Sequence, residues 1–197
     1  MIKKIQGQVK YKVDDFDSMS KKLIELEAIF VGGVLEKTIR YDTRNHKFLE
    51  KNIFIRTKSG INNVLTIKEK VNELDPDILE RYTTEIEIDN TQKMEYFLET
   101  IGLNKKWIME KYRLYFKLMD NEITIDELPF GIYLEIKGDD KEIKKISKLL
   151  DLKLKDSIKV TYWDIYDKIK TKDSNENIIF DQTHVFKIAT YLEGGKL

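Results

Sequence analysis

Ile5-Gln6-Gly7-Gln8-Val9-Lys10-Tyr11-Lys12-Val13 alternates residue by residue: Gln6, Gln8, Lys10 and Lys12 fall on one side of an extended chain, and Ile5, Val9, Tyr11 and Val13 on the other. Successive side chains of a β-strand point to opposite faces, so this stretch is a strand with one apolar and one wholly polar face. The pattern recurs. Phe54, Arg56 and Lys58 oppose Ile53, Ile55 and Thr57; Thr66, Lys68 and Lys70 oppose Leu65 and Ile67; Glu85, Glu87 and Asp89 oppose Ile86 and Ile88. Farther on, Lys111, Arg113 and Tyr115 oppose Tyr112, Leu114 and Phe116. Glu122, Thr124 and Asp126 oppose Ile123 and Ile125, and Tyr133, Glu135 and Lys137 oppose Ile132, Leu134 and Ile136.

Helical spacing of apolar residues appears at Phe16, Met19, Leu23 and Leu26, at Met94, Phe97, Leu98 and Ile101, and at Ile143, Ile146, Leu149 and Leu150. Asp17 and Ser18 are the expected N-caps of the first helix and Asn90 and Thr91 those of the second, with Val31-Gly32-Gly33 and Ile101-Gly102 as C-terminal stops. The two halves also rhyme. Leu26-Glu27-Ala28-Ile29 is echoed by Leu98-Glu99-Thr100-Ile101, and Glu36-Lys37 with Arg40-Tyr41 by Glu110-Lys111 with Arg113 and Tyr115, at an offset of roughly 73 residues. A strand, a helix and further strands used twice give an α+β fold, an antiparallel sheet of about eight strands with helices on its apolar face. Closing that sheet into an eight-stranded β-barrel gathers the polar faces into a charged interior. Desolvated ions cost several kcal/mol each unless they pair or bind a counter-ion, so a multiply charged anion is the expected ligand.

Composition narrows the choice. The 197 residues suit one domain, and 35 Lys+Arg against 35 Asp+Glu is too balanced for a sequence-blind nucleic-acid binder. With no Cys and 2 His, disulfides, thiolate metal sites, Cys nucleophiles and multi-histidine zinc sites are excluded or improbable. No stretch approaches the roughly 20 apolar residues of a membrane span, and a soluble cytoplasmic protein is expected.

From about Gln6 to Tyr166 the chain resembles the CYTH family, the triphosphate tunnel metalloenzymes that include class IV adenylate cyclases, thiamine triphosphatases and inorganic triphosphatases. The family's Glu-x-Glu-x-Lys strand falls on Gln6, Gln8 and Lys10, its aromatic Asp-Thr segment on Arg40-Tyr41-Asp42-Thr43, and its Leu-Arg-x-Arg strand on Ile55-Arg56-Thr57-Lys58. Leu65-Thr66-Ile67-Lys68, Glu85-Ile86-Glu87, Lys111-Tyr112-Arg113, Asp126, Gly131 to Lys137 and Thr161-Tyr162 follow in the family's order.

The resemblance implies that Lys10, Lys12, Arg56, Lys58, Lys68, Lys111 and Arg113 bind the phosphates of a small-molecule triphosphate, with Lys10, Arg56, Lys68 and Arg113 central to catalysis. It also implies that Glu85, Glu87, Glu135 and Asp126 hold Mg²⁺ or Mn²⁺. Arg56 and Arg113 alike are then expected to matter for binding far more than for stability. Three departures weaken a second metal site: Gln6 and Gln8 stand where the family has glutamates, and Lys137 replaces an acid in Glu135-x-Lys137. Attack by water makes such a protein a triphosphatase, and attack by a ribose hydroxyl on the α-phosphorus makes it a cyclase. The alternative is a catalytically degenerate member that only binds nucleotide or polyphosphate.

The tunnel domain is expected over 1–169. Residues 170–197 read as a linker and a helical tail from Thr183 to Leu192, either a plug for one barrel mouth or a surface that packs on a second copy in a homodimer. His46 is expected in an exposed loop and His184 in the tail, neither in a catalytic role.

Overall fold

Each alternating stretch forms a strand and each apolar stripe a helix in the computed structural model, which describes residues 4–71, 78–172 and 174–189. In chain order these are β1 (Lys4–Lys12), α1 (Phe16–Glu25), β2 (Ile29–Asp42), α2 (Lys47–Glu50), β3 (Ile53–Ser59), β4 (Val64–Lys70), β5 (Leu79–Glu87), α3 (Thr91–Thr100), β6 (Asn104–Leu118), β7 (Asn121–Leu128), β8 (Gly131–Gly138), α4 (Asp140–Leu149) and α5 (Tyr162–Ile169). The strands are antiparallel and close in the order β1-β5-β4-β3-β2-β6-β7-β8, with β8 returning to β1. This order is unchanged when β1–β4 are exchanged for β5–β8, as a doubled motif requires.

The hydrophobic core lies outside the ring. Val9, Leu114, Phe116, Ile123, Ile125, Leu134 and Ile136 turn outward beneath Leu23 of α1 and Ile143 and Ile146 of α4, while Ile39, Tyr41 and Ile55 pack on Leu98 of α3. With the apolar faces spent on helices, the polar faces are left to line the interior. Gly7 makes the approach of α4 possible: a Cβ there would lie 3.0 Å from Ile78 Cγ2 and 3.2 Å from Ile143 Cδ1.

Two helix boundaries differ from expectation. Asp15, not Asp17 or Ser18, caps α1, its carboxylate accepting the Ser18 N–H at 3.0 Å. Gly32 and Gly33 do not end that helix, because the chain already leaves it through Glu27, at φ 60°. They lie within β2, where the register against β6 slips by a residue. Asn90 caps α3, and Gly102, at φ 92°, turns the chain out of it.

β6 extends beyond β7, whose pairing starts only at Tyr112, so the backbone around Met109 has a free edge. The tail fills it. Ile178 pairs in parallel with Met109, donating to the Ile108 carbonyl at 2.9 Å and accepting from Glu110 at 2.7 Å, while Asn177 Oδ1 accepts from Ile108. Farther along, the buried Glu127 carboxylate accepts the N–H groups of Lys187 and Ile188 at 3.0 and 2.9 Å and sits 3.1 Å from His184 Nε2. The described part of the tail therefore packs on the chain's own barrel; the rest of the expected helix, from residue 190, lies outside the described residues. Ile178→Ala is expected to cost about 2–5 kcal/mol of unfolding free energy, the range for truncating a buried isoleucine. Denaturant unfolding checks this, and an unchanged midpoint would make the tail peripheral. Among the described residues no helix is long and apolar enough to cross a membrane.

Candidate anion-binding tunnel

Strand register decides which interior charges meet. On the β6-β7-β8-β1 side, opposite signs face each other directly: Arg113 opposite Asp126, Glu122 opposite Lys137, and Lys10 opposite Glu135. Glu36 of β2 faces Lys111 of β6 across the adjoining pair. On the β2-β3-β4-β5 side the neighbours are alike or neutral: Arg40 opposite Arg56, Arg56 opposite Thr66, Lys68 opposite Phe54 and Thr83. The interior thus has a neutralised wall and a cationic wall.

On the neutralised wall the carboxylates are multiply paired, although Lys10 Nζ makes no hydrogen bond among the described residues. Arg113 donates to both oxygens of Asp126, which also accepts from Tyr162 Oη at 2.8 Å, and Lys111 lies 3.6 Å from the same carboxylate. Glu36, 1% exposed, takes Lys111 at 3.0 Å, Lys58 at 3.7 Å and the Tyr115 hydroxyl at 2.7 Å. Burial alone would raise the Glu36 carboxyl, yet Lys111, Arg113 and Lys58 together hold it well below the usual carboxylate range. Glu135 behaves alike: burial is outweighed by Lys10 at 3.5 Å and by Arg113 and Lys137, each at 3.7 Å. Burial lowers Lys137, but Glu122 and Glu135 more than reverse it and keep the ammonium charged.

On the cationic wall Arg40, Arg56 and Lys68 have no ion-pair partner among the described residues, and Asp164 and Asp42 only partly offset the lowering of Arg40, as Glu135 and Glu85 do that of Lys68. Arg56 has a buried Nε with no hydrogen-bond partner among the described residues. Arg40 is held over the rings of Phe54 at 4.4 Å and Trp107 at 4.9 Å, and burial, then Arg56, brings it down to about 10. Burial and the nearby charges of Arg56 and Lys137 keep Lys68 well below the ordinary lysine value. Lys58, between the walls, is brought to about 8 by burial, with Lys137, Arg113 and Arg56 adding to the effect and Glu36 opposing it. These cations line one continuous cavity with Phe54, Arg81, Thr161, Tyr162 and Trp163.

Most of the expected phosphate ligands converge here: Lys10, Arg56, Lys58, Lys68, Lys111 and Arg113 all line the cavity. Lys12 does not. At the end of β1, beyond the point where the Ile158 amide bonds the Lys10 carbonyl, it is exposed in an outer groove beside Asp151 and Asp156. Gln8 lines the cavity, whereas the side chain of Gln6 lies outside the described residues. Glu36, Arg40, Glu122 and Arg81 join the site although sequence reasoning did not nominate them. The alternations Glu36-x-Thr38-x-Arg40 and Arg81-x-Thr83-x-Glu85 carried that signal. His46 is half-buried against Trp107, away from the cavity lining.

The four expected metal ligands do not come together. Glu85 is on the cationic wall, accepting from Thr66 Oγ1 at 3.3 Å, and Glu87 is exposed at the strand end. Asp126 is committed to Arg113 and Tyr162, and Glu135 to three cations. Among the described residues no three acidic or histidine side chains gather as a divalent-ion site. Mg²⁺ and Mn²⁺ need anionic oxygens free of competing cations, so these residues do not fit a resident metal.

A closed eight-stranded antiparallel ring with helices outside and charged side chains inside is consistent with the fold that the CYTH resemblance implied. No family model and no curated protein matches the chain. Solved structures do. A candidate adenylate cyclase from Vibrio parahaemolyticus aligns at a TM-score of 0.71 with 17% identity, over 84% of this chain and 99% of that one. The PH1819 protein of Pyrococcus horikoshii aligns at 0.67 and 19%, over 84% and 99%. A candidate adenylyl cyclase from Hippeastrum, HpAC1, described as having a dominant triphosphatase activity, aligns at 0.60 and 13%, over 85% and 98%. At such identities the likeness is one of fold, and chemistry is argued from the site.

Proposed function

We propose that the tunnel binds a small molecule bearing a triphosphate, such as a nucleoside triphosphate, thiamine triphosphate or tripolyphosphate. The observation that carries this reading is the set of half-buried cations Arg40, Arg56 and Lys68 on adjacent strands, none with an ion-pair partner among the described residues. An anion relieves their mutual repulsion, and guanidinium groups meet phosphate oxygens two at a time. The neighbours named for cyclase and triphosphatase activity support cleavage or cyclisation of the bound triphosphate. In either reaction the cationic wall would neutralise charge on the phosphates and hold them in line with the attacking oxygen. The committed state of Asp126 and Glu135 favours a second reading, in which the tunnel binds without turnover.

Calorimetric titration with tripolyphosphate and ATP, with and without Mg²⁺ or Mn²⁺, followed by product analysis, tests both. Saturable binding is expected; its absence under every condition removes the proposal, and product formation decides between the readings. The pH dependence has a definite sign. With the Lys58 ammonium near 8 in the free protein, the anion restores a proton that the unliganded site sheds above that pH. Affinity should fall as pH rises from about 7 to 9, and binding at pH 8.5 should take up protons from the buffer.

A further inference from the structure

We infer that the Lys137 ammonium takes the place of a divalent cation in this tunnel, so that the anion is bound without metal. This rests on the phosphate-binding reading above and adds to it the charge that balances the acids. Lys137 is on β8, opposite Glu122 of β7 and Gln8 of β1. Its Nζ is hydrogen-bonded to Glu122 and lies 3.7 Å from Glu135, bridging two carboxylates on neighbouring strands as a bound cation would. The third neighbour, Gln8, is neutral, so an added divalent ion would face a resident positive charge with only shared oxygens to bind.

The ammonium also serves the ligand. Lys137 lines the same cavity as Arg56, Lys58 and Lys68, and its charge is felt at both lysines of that group. It therefore neutralises the acids behind it and adds to the field in front. A divalent ion would do both, but only when present. A lysine does so permanently, which makes affinity independent of free metal.

The test begins with Mn²⁺ alone, titrated into the native protein and followed by electron paramagnetic resonance. No saturable binding is expected, and stoichiometric binding would overturn the inference. Tripolyphosphate should bind in EDTA at least as tightly as in excess Mg²⁺, which competes for the free anion in solution. A requirement for Mg²⁺, or a gain of tenfold or more with it, would also overturn the inference. Lys137→Glu should lose more than tenfold in tripolyphosphate affinity in EDTA and acquire saturable Mn²⁺ binding, with an unchanged Mn²⁺ titration counting against the assignment. Should that variant not fold, Lys137→Met serves instead: affinity in EDTA should still drop severalfold, and parent-like affinity would sink the role of the ammonium. Tripolyphosphate bound under neither condition would remove the triphosphate reading itself, while Mn²⁺ uptake by the native protein would remove only the metal substitution, so the two failures are distinct.

Discussion

Replacing Arg56 and Lys68 together by alanine should weaken tripolyphosphate binding by more than a hundredfold and leave the melting temperature unchanged or raised. Each removes a charge-assisted contact to phosphate worth roughly 1.5–3 kcal/mol, and about 1.4 kcal/mol is a factor of ten. Neither residue has an anionic partner at ion-pair distance among the described residues, so no direct ion pair is broken. Instead, Lys68 is disfavoured by burial and by Arg56, and removing both relieves that repulsion. Calorimetry and thermal unfolding of the same preparation check the two halves of the expectation. Native affinity in the double variant would mean that the cationic wall is not the phosphate site.

Arg113→Ala should do the reverse. Its guanidinium is fully engaged with Asp126 and lies 4.0 Å from Glu36 and 3.7 Å from Glu135, so its loss strands buried carboxylates. Breaking a buried pair from one side costs about 3–5 kcal/mol, which for a domain of this size lowers the melting temperature by roughly 6–20 °C. The sequence-based expectation that Arg113 would matter chiefly for binding is thereby replaced. A melting temperature within a degree or two of the parent would show that the Arg113–Asp126 pair does not hold the barrel together.

The contrast between these two arginines shows where sequence reading stops. Arg56 and Arg113 occupy equivalent alternating positions, Arg56-x-Lys58 and Lys111-x-Arg113, and nothing local separates them. Their roles part because β6 meets β7 with Asp126 opposite, whereas β3 meets β4 with Thr66 opposite. Those registers are set by ring closure among residues far apart in the chain. The period-two pattern was legible because it depends only on adjacent residues, and so were the strands, the doubled motif and most of the lining. Partner identity was not. Asp126, Glu135, Glu85 and Glu87 all read as metal ligands until the register assigned two of them to cations and left Glu87 at a strand end. Glu36 and Arg40 went unnominated because β2 opens with the Gly32-Gly33 bulge, which interrupts the alternation where a reader would pick it up.

The exchange symmetry of the strand order has a consequence for how this molecule can change over time. A duplicated scaffold starts with two equivalent linings and no division of labour. Here two walls, each drawn from three strands of one copy and one of the other, have specialised, one locked into mutual neutralisation and the other left with unspent charge. Substitutions at Arg56 or Lys68 can therefore rewrite what the cavity accepts at small risk to folding, whereas those at Asp126, Glu135 or Arg113 imperil the framework. Innovation and robustness are kept in separate halves of one ring, which makes β3 and β4 the place to graft a new specificity.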